Sequence, residues 1–134
     1  MPAQDETGRF SDRWFQYALA TASEKTLRGV TVKTISATCF IATKLAAFEN
    51  RGNNDYFSHD IEDIITLIDG RRSVVEELSG ENETLKKYVS EKINQLIQDV
   101  RFLDALPGHM GGDEMQQRRL PLLIDRLNSI RALS

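Results

Sequence analysis

The sequence predicts a mostly α protein of the α+β class, with a small N-terminal β-hairpin ahead of a helical bundle. Three observations carry that expectation. After Ser36 the apolar residues recur every three or four positions, as in Leu85, Val89, Ile93 and Leu96. Val30-Thr31-Val32-Lys33-Thr34-Ile35 is β-favouring and follows Arg28-Gly29. Gly52, Gly70, Gly80 and Pro107-Gly108 cut the periodic region into helix-sized pieces. With 134 residues, 40% hydrophobic and 28% charged, the chain is long enough to bury about two-thirds of its unfolded surface without a metal or disulfide. A single domain over 1–134 is expected, with an aromatic anchor and hairpin over 1–35 and a helical bundle over 36–134.

Each element has a local reason. Residues 1–13 are polar, and Trp14, Phe15 and Tyr17 form an aromatic cluster suited to pinning the N-terminus to the body. The hairpin should end near Ile35. Ser36 is placed to cap a helix whose stripe is Phe40, Ile41, Leu45 and Phe48, stopping by Gly52. Asn53 to Ser58 is turn chemistry leading into a helix that buries Ile61, Ile64, Ile65 and Ile68, closed by Asp69-Gly70. A small helix follows over Ser73 to Leu78. Leu85, Val89, Ile93, Leu96, Val100 and Leu103 then step along what reads as the longest helix, ended by Pro107-Gly108. Gly111-Gly112 opens a last helical segment facing the core with Leu120, Leu123, Leu127 and Ile130, Pro121 lying near its first turn or at a kink.

Seventeen basic and twenty acidic side chains leave a formal charge of −3, so nucleic acid is not an expected partner and any phosphate site must be local. Cys39 is the only cysteine and sits in an apolar run, where a buried inert thiol is expected. The chain opens without a basic or apolar leader pattern, and no apolar run approaches the ~18 residues of a membrane span. A cytoplasmic protein without membrane contact is expected.

The run Ile41-Ala42-Thr43-Lys44-Leu45-Ala46-Ala47-Phe48-Glu49-Asn50-Arg51-Gly52, then Asp55, then Ser58-His59-Asp60-Ile61-Glu62-Asp63-Ile64, resembles the abortive-infection type nucleotidyltransferase family. Its pattern is a Lys-Leu-x-Ala-x-x-x-Arg helix followed by an Asp-x-x-Asp helix. The likeness extends less specifically back to Met1-Pro2 and Arg13-Trp14-Phe15 and forward through Gly70-Arg71. It implies a helical C-terminal part joined to a polymerase-β-like core, transfer of a nucleoside monophosphate from a nucleoside triphosphate with magnesium, and, for many members, a toxin paired with an antitoxin. The Gly-Ser or Gly-Gly turn and three strand carboxylates of that core have no counterpart here. The family's third carboxylate lies just upstream of a Met-Pro pair, so the resemblance is to the C-terminal half alone. It implies no catalytic residue and no cofactor for the chain by itself, with magnesium and a nucleoside triphosphate entering only if a partner completes it. The expected partners are a second copy, a separate catalytic half or an antitoxin-like protein.

Lys44 and Arg51, seven apart, fall on one helical face, and the resemblance implies that both face a nucleotide, the position of Lys44 contacting a phosphate. The plain structural alternative has Lys44 reaching out of a buried helix while Arg51 pairs with Asp60 or Asp63. Asp60 and Asp63, at i and i+3, can share a cation, but two carboxylates are a thin metal site, and pairing with Arg51 or Arg71 is the stronger expectation. His59-Asp60 lacks the further histidines of a metal phosphohydrolase, His59 and His109 being the only two. His109 falls in a Pro-Gly-His-Met-Gly-Gly connector. Arg118, Arg119, Arg126 and Arg131 form a basic stretch whose ordinary explanation is a solvated face.

Overall fold

The computed structural model describes residues 16–17, 20–50 and 55–133. Strands β1 (Ser23–Leu27) and β2 (Val30–Thr34) pair antiparallel, Leu27 opposite Val30 and Ser23 opposite Thr34. Arg28 and Gly29 close the hairpin at φ 51° and 80°. Two left-handed residues in a two-residue loop make a type I′ turn, which matches the right-handed twist of the strands; Gly29 adopts it freely and Arg28 carries its cost.

Helix α1 (Ala37–Asn50) starts where Ser36 Oγ accepts the Cys39 N–H at 3.2 Å, and it buries Cys39, Ile41, Ala42, Leu45, Ala46 and Phe48. Helix α2 (His59–Gly70) is capped by Ser58, whose Oγ takes the Ile61 N–H, and its four isoleucines at 61, 64, 65 and 68 are all buried. Asp60 and Glu62 sit in its first turn, where the helix dipole favours negative charge. The short α3 (Val74–Ser79) buries Val74 and Leu78. Asn82 caps α4 (Glu83–Ile97), its Oδ1 taking the Leu85 N–H at 2.8 Å. Helices α5 (Val100–His109), α6 (Glu114–Gln117) and α7 (Leu120–Arg131) complete the described residues.

The central layer is α1 against α2 and α4, with α7 closing over α2 and α4 and α5 lying beside α4. Phe48 of α1, Tyr56 ahead of α2 and Phe102 of α5 pack in series, the first pair tilted at 33° and the second edge-on at 74°, with ring centroids 5.8 and 5.9 Å apart. The fold is thus mostly helical with a small N-terminal hairpin. Among the described residues no helix is long and apolar enough to cross a membrane.

Three expectations need correction. The long helix through Leu103 is two helices: Asp99 turns extended (φ −97°, ψ 116°) and its carboxylate accepts the Arg101 N–H, starting α5 afresh. The break rotates Val100 and Leu103 outward, 65% and 37% exposed, while Phe102, Ala105 and Leu106 face the core. Apolar spacing runs unbroken across this point, so periodicity alone could not register a new cap. Pro107 and Gly108 do not end α5; they belong to its last turn, with His109, and the helix stops at Met110 before Gly111 at φ 84°. Pro107 forgoes its own hydrogen bond to the carbonyl four residues earlier and crowds it, a cost borne by the last turns of a helix that ends three residues on. The final segment is also double, α6 and α7 being separated at Arg118-Arg119, with Pro121 in the first turn of α7.

Of the aromatic anchor, Trp14 and Phe15 lie outside the described residues. Tyr17 behaves as expected, packing on the core and donating its hydroxyl to Glu81 Oε1 at 2.9 Å.

Candidate functional site

The charged residues of the two sequence motifs meet where the middle of α1 crosses the start of α2. Lys44 Nζ lies 2.8 Å from Asp63 Oδ2 and 3.8 Å from Asp60 Oδ1. The Asp60 side chain is only 3% exposed, Lys44 28% and Asp63 40%, so the cluster grades from core to solvent. The Lys44 ammonium also sits over the Phe40 ring, 5.5 Å from its centroid, a contact that suits a half-desolvated cation. The expected Arg51 partner lies outside the described residues. The expectation that Arg71 serves these carboxylates is corrected: Arg71 makes a two-pronged pair with Glu77 at 2.7 and 2.8 Å, holding the Glu77 carboxyl below its ordinary range. Geometry explains the difference, since Arg71 follows the far end of α2, a full helix length from Asp60.

A second cluster has no counterpart in the sequence reading. Glu49, in the last turn of α1, accepts the Tyr88 hydroxyl at 2.9 Å and the Lys92 ammonium at 2.5 Å. A carboxylate at a helix C-terminus meets unfavourable backbone dipoles, and Tyr88 and Lys92 at i and i+4 of α4 form the counter-face. Those two signals could have found it. Burial and then the Glu49 carboxylate push the Tyr88 hydroxyl far up from its ordinary value, so Tyr88 stays a donor. Leu45, Phe48 and Leu96 floor a cleft of about 80 Å³ beside this cluster, with Glu49, Lys92 and Tyr56 on its walls. Tyr56 donates to Asp99 Oδ2 at 2.6 Å, and this bond, with burial behind it, raises the Tyr56 hydroxyl. The Arg101 guanidinium, followed by Tyr56, holds the Asp99 carboxyl well below the carboxylate range.

A larger cavity, about 230 Å³, lies between the C-terminal ends of α2 and α5, walled by Ile65, Thr66, Asp69, His109, Met110 and Arg119. His109 is no connector residue: its Nε2–H donates to the Tyr56 carbonyl at 2.6 Å and its ring stacks on Phe57. The basic stretch is likewise more than a solvated face. Arg126 donates to the Ile68 and Asp69 carbonyls at 2.9 and 2.5 Å, and Arg119 pairs with the Asp69 carboxylate at 2.7 Å, so two cations close the negative end of α2. Arg118 stays on the surface with Glu114. Cys39 is 1% exposed, the buried thiol expected.

The fold and this site define a helical bundle in which Lys44–Asp63, Lys92–Glu49 and Arg119–Asp69 pair acid with base across helix junctions. Among the described residues no group of three or more histidine, cysteine, aspartate or glutamate side chains is gathered to hold a metal ion. Comparisons with protein-family models, with curated proteins and with solved structures give no match.

Proposed function

We propose that this chain is the helical contact module of a nucleotidyltransferase-like protein, without transfer activity by itself. The observation that supports the reading is the meeting of Lys44 with Asp60 and Asp63 at 3.8 and 2.8 Å. It brings together charges from both resembled helices where the middle of α1 crosses the start of α2, the place a nucleotide or a catalytic half would engage. It also leaves Lys44 neutralised within the fold. Two carboxylates already engage that ammonium, so it is not open to a triphosphate without rearrangement. Binding of magnesium and a nucleoside triphosphate therefore belongs to the module completed by a partner that supplies the strand carboxylates, and an antitoxin-like protein is the second kind of partner the resemblance implies. We place its action in the cytoplasm, where Cys39 stays reduced.

The test is titration of the purified chain with magnesium and each of the four labelled nucleoside triphosphates, followed by a search for labelled protein or RNA. No incorporation is expected, and no binding tighter than millimolar. Incorporation that disappears in Lys44→Ala or Asp60→Ala would overturn the reading and make these residues part of a working active site.

A further inference from the structure

At the C-terminal ends of α2 and α5, the cavity of about 230 Å³ has on its wall a carboxylate with an acceptor unused. Asp69 gives Oδ2 to Arg119 at 2.7 Å, while its Oδ1 is buried and has no hydrogen-bond partner among the described residues. A buried acceptor left so carries a cost that an incoming donor removes, and rotation about the Cβ–Cγ bond, a soft torsion, turns that oxygen toward the cavity. The Arg119 guanidinium reaches Asp69 through Nη2 and holds further N–H donors in the same plane. Acceptor and donor therefore stand side by side on one wall. Ile65 and Met110, 2% and 6% exposed, form an apolar wall. The frame is set before any ligand arrives: the His109 ring is fixed by the Tyr56 carbonyl and by Phe57, and the Gln116 carboxamide sits where a side chain at Gly111 would project.

The charges around the cavity already cancel. Arg119 answers Asp69, and Arg126 answers the last carbonyls of α2, so an ionic ligand would enter without a counter-charge. We propose that this cavity is a binding site for a small neutral heterocycle with a lactam edge, its ring N–H donating to Asp69 and its adjacent carbonyl accepting from Arg119. A lactam sets its donor and acceptor side by side in one plane, as the paired carboxylate and guanidinium require. Ile65 and Met110 take the ring faces, a thioether being a favourable neighbour for an aromatic ring. The size agrees: an engineered cavity of about 150 Å³ holds benzene, so this one admits a single ring with a substituent or two. The site lies at the opposite end of α2 from Asp60 and Asp63 and is independent of the Lys44 cluster.

The experiment titrates the full, nitrogen-labelled chain with α-pyridone, its N-methyl derivative and benzylamine, a cation at neutral pH, and reads the amide shifts of Asp69, Met110 and Arg119. Saturable shifts with a Kd of about 1 mM or lower are expected for α-pyridone, and binding roughly 10- to 100-fold weaker for the N-methyl form, which keeps the carbonyl but has no N–H. Thr66 is an exposed residue of the cavity wall, so Thr66→Trp should fill the mouth, keep the fold by circular dichroism and weaken α-pyridone by a similar factor. No saturable shift in the wild type up to about 20 mM overturns the proposal. So does equal binding of the two pyridones, which would make the cavity a seat for apolar rings alone, or tighter binding of benzylamine, which would make it a cation site. Unchanged affinity in a folded Thr66→Trp variant overturns it as well, since the ligand would then lie elsewhere.

Discussion

At the scale of single residues, the polar contacts that matter are those that tie one helix to another. Glu81 is the clearest. Burial raises its pKa, but hydrogen bonds from the Thr38 hydroxyl at 2.6 Å, from the Asn82 N–H and from the Tyr17 hydroxyl outweigh it, and the net shift is downward. A folded-state pKa below the unfolded one stabilises the protein fully above the unfolded value, near ~4.3 for glutamate, and the gain is lost as the pH falls through the folded value. Thermal unfolding should therefore be nearly flat in Tm from pH 7 to about 5 and fall below about 4.5. In Thr38→Val, which removes a buried charge-assisted bond at constant shape, stability at pH 7 should drop by about 1.5–3 kcal/mol and the acid slope should become shallower. A slope unchanged in that variant would remove Glu81 from the account. The Lys44 cluster grades the same way: Asp63→Ala should cost under ~1 kcal/mol, as for an exposed pair, and Asp60→Ala about 2–3 kcal/mol because its carboxylate is almost wholly buried. Urea unfolding of both variants ranks them, and equal costs would mean that burial is not what distinguishes the two aspartates.

At the scale of elements, capping side chains decide where the helices begin. Asn82→Ala should lower stability by about 1 kcal/mol, and Asn82→Asp should restore the cap on the Leu85 N–H without full recovery, since it loses the amide donation to the Tyr17 hydroxyl at 2.8 Å. The new start at Asp99 has a sharper consequence for α5. Val100→Ala should change stability by less than ~0.5 kcal/mol, as expected for an exposed side chain, whereas Phe102→Ala should cost about 3–5 kcal/mol by opening a cavity beside Tyr56. An uninterrupted helix would reverse the prominence of these two positions, so the pair tests the break by equilibrium unfolding. The α2 helix and its isoleucine stripe, in contrast, were fully legible beforehand. The turn residues up to Ser58, the 61, 64, 65, 68 spacing and the Asp69-Gly70 close all point to the same element, and such agreement between levels leaves few alternatives.

At the scale of the whole molecule, stability is unevenly distributed. The helices share one core that contains Ile41, Ile64, Leu85, Ile93, Leu123 and Leu127, all close to fully buried, whereas a two-stranded hairpin is by itself marginal in water. In dilute solution the amides of α1, α2, α4 and α7 should exchange with solvent only on global opening, and those of β1 and β2 orders of magnitude faster. Hydrogen exchange followed residue by residue measures this. Uniform protection across hairpin and helices would mean that the hairpin is part of the main cooperative unit.

The sequence by itself determined the class of the fold, the hairpin ending near Ile35, and the helices whose caps and apolar stripes coincide, because those features depend on near neighbours along the chain. It also placed Lys44, Asp60 and Asp63 on adjoining helices, since a short connection between α1 and α2 leaves their facing ends few arrangements. Only the tertiary structure decided which charges meet. Lys44 serves Asp63, Arg71 turns to Glu77, and Arg119 and Arg126 close the end of α2 from 50 or more residues away. Partners at such separations are chosen by helix packing, which carries no periodic trace in the sequence. The same holds for the Asp99 break, where a single cap, supported by Tyr56 more than 40 residues earlier, prevails over an apolar pattern that runs straight through it.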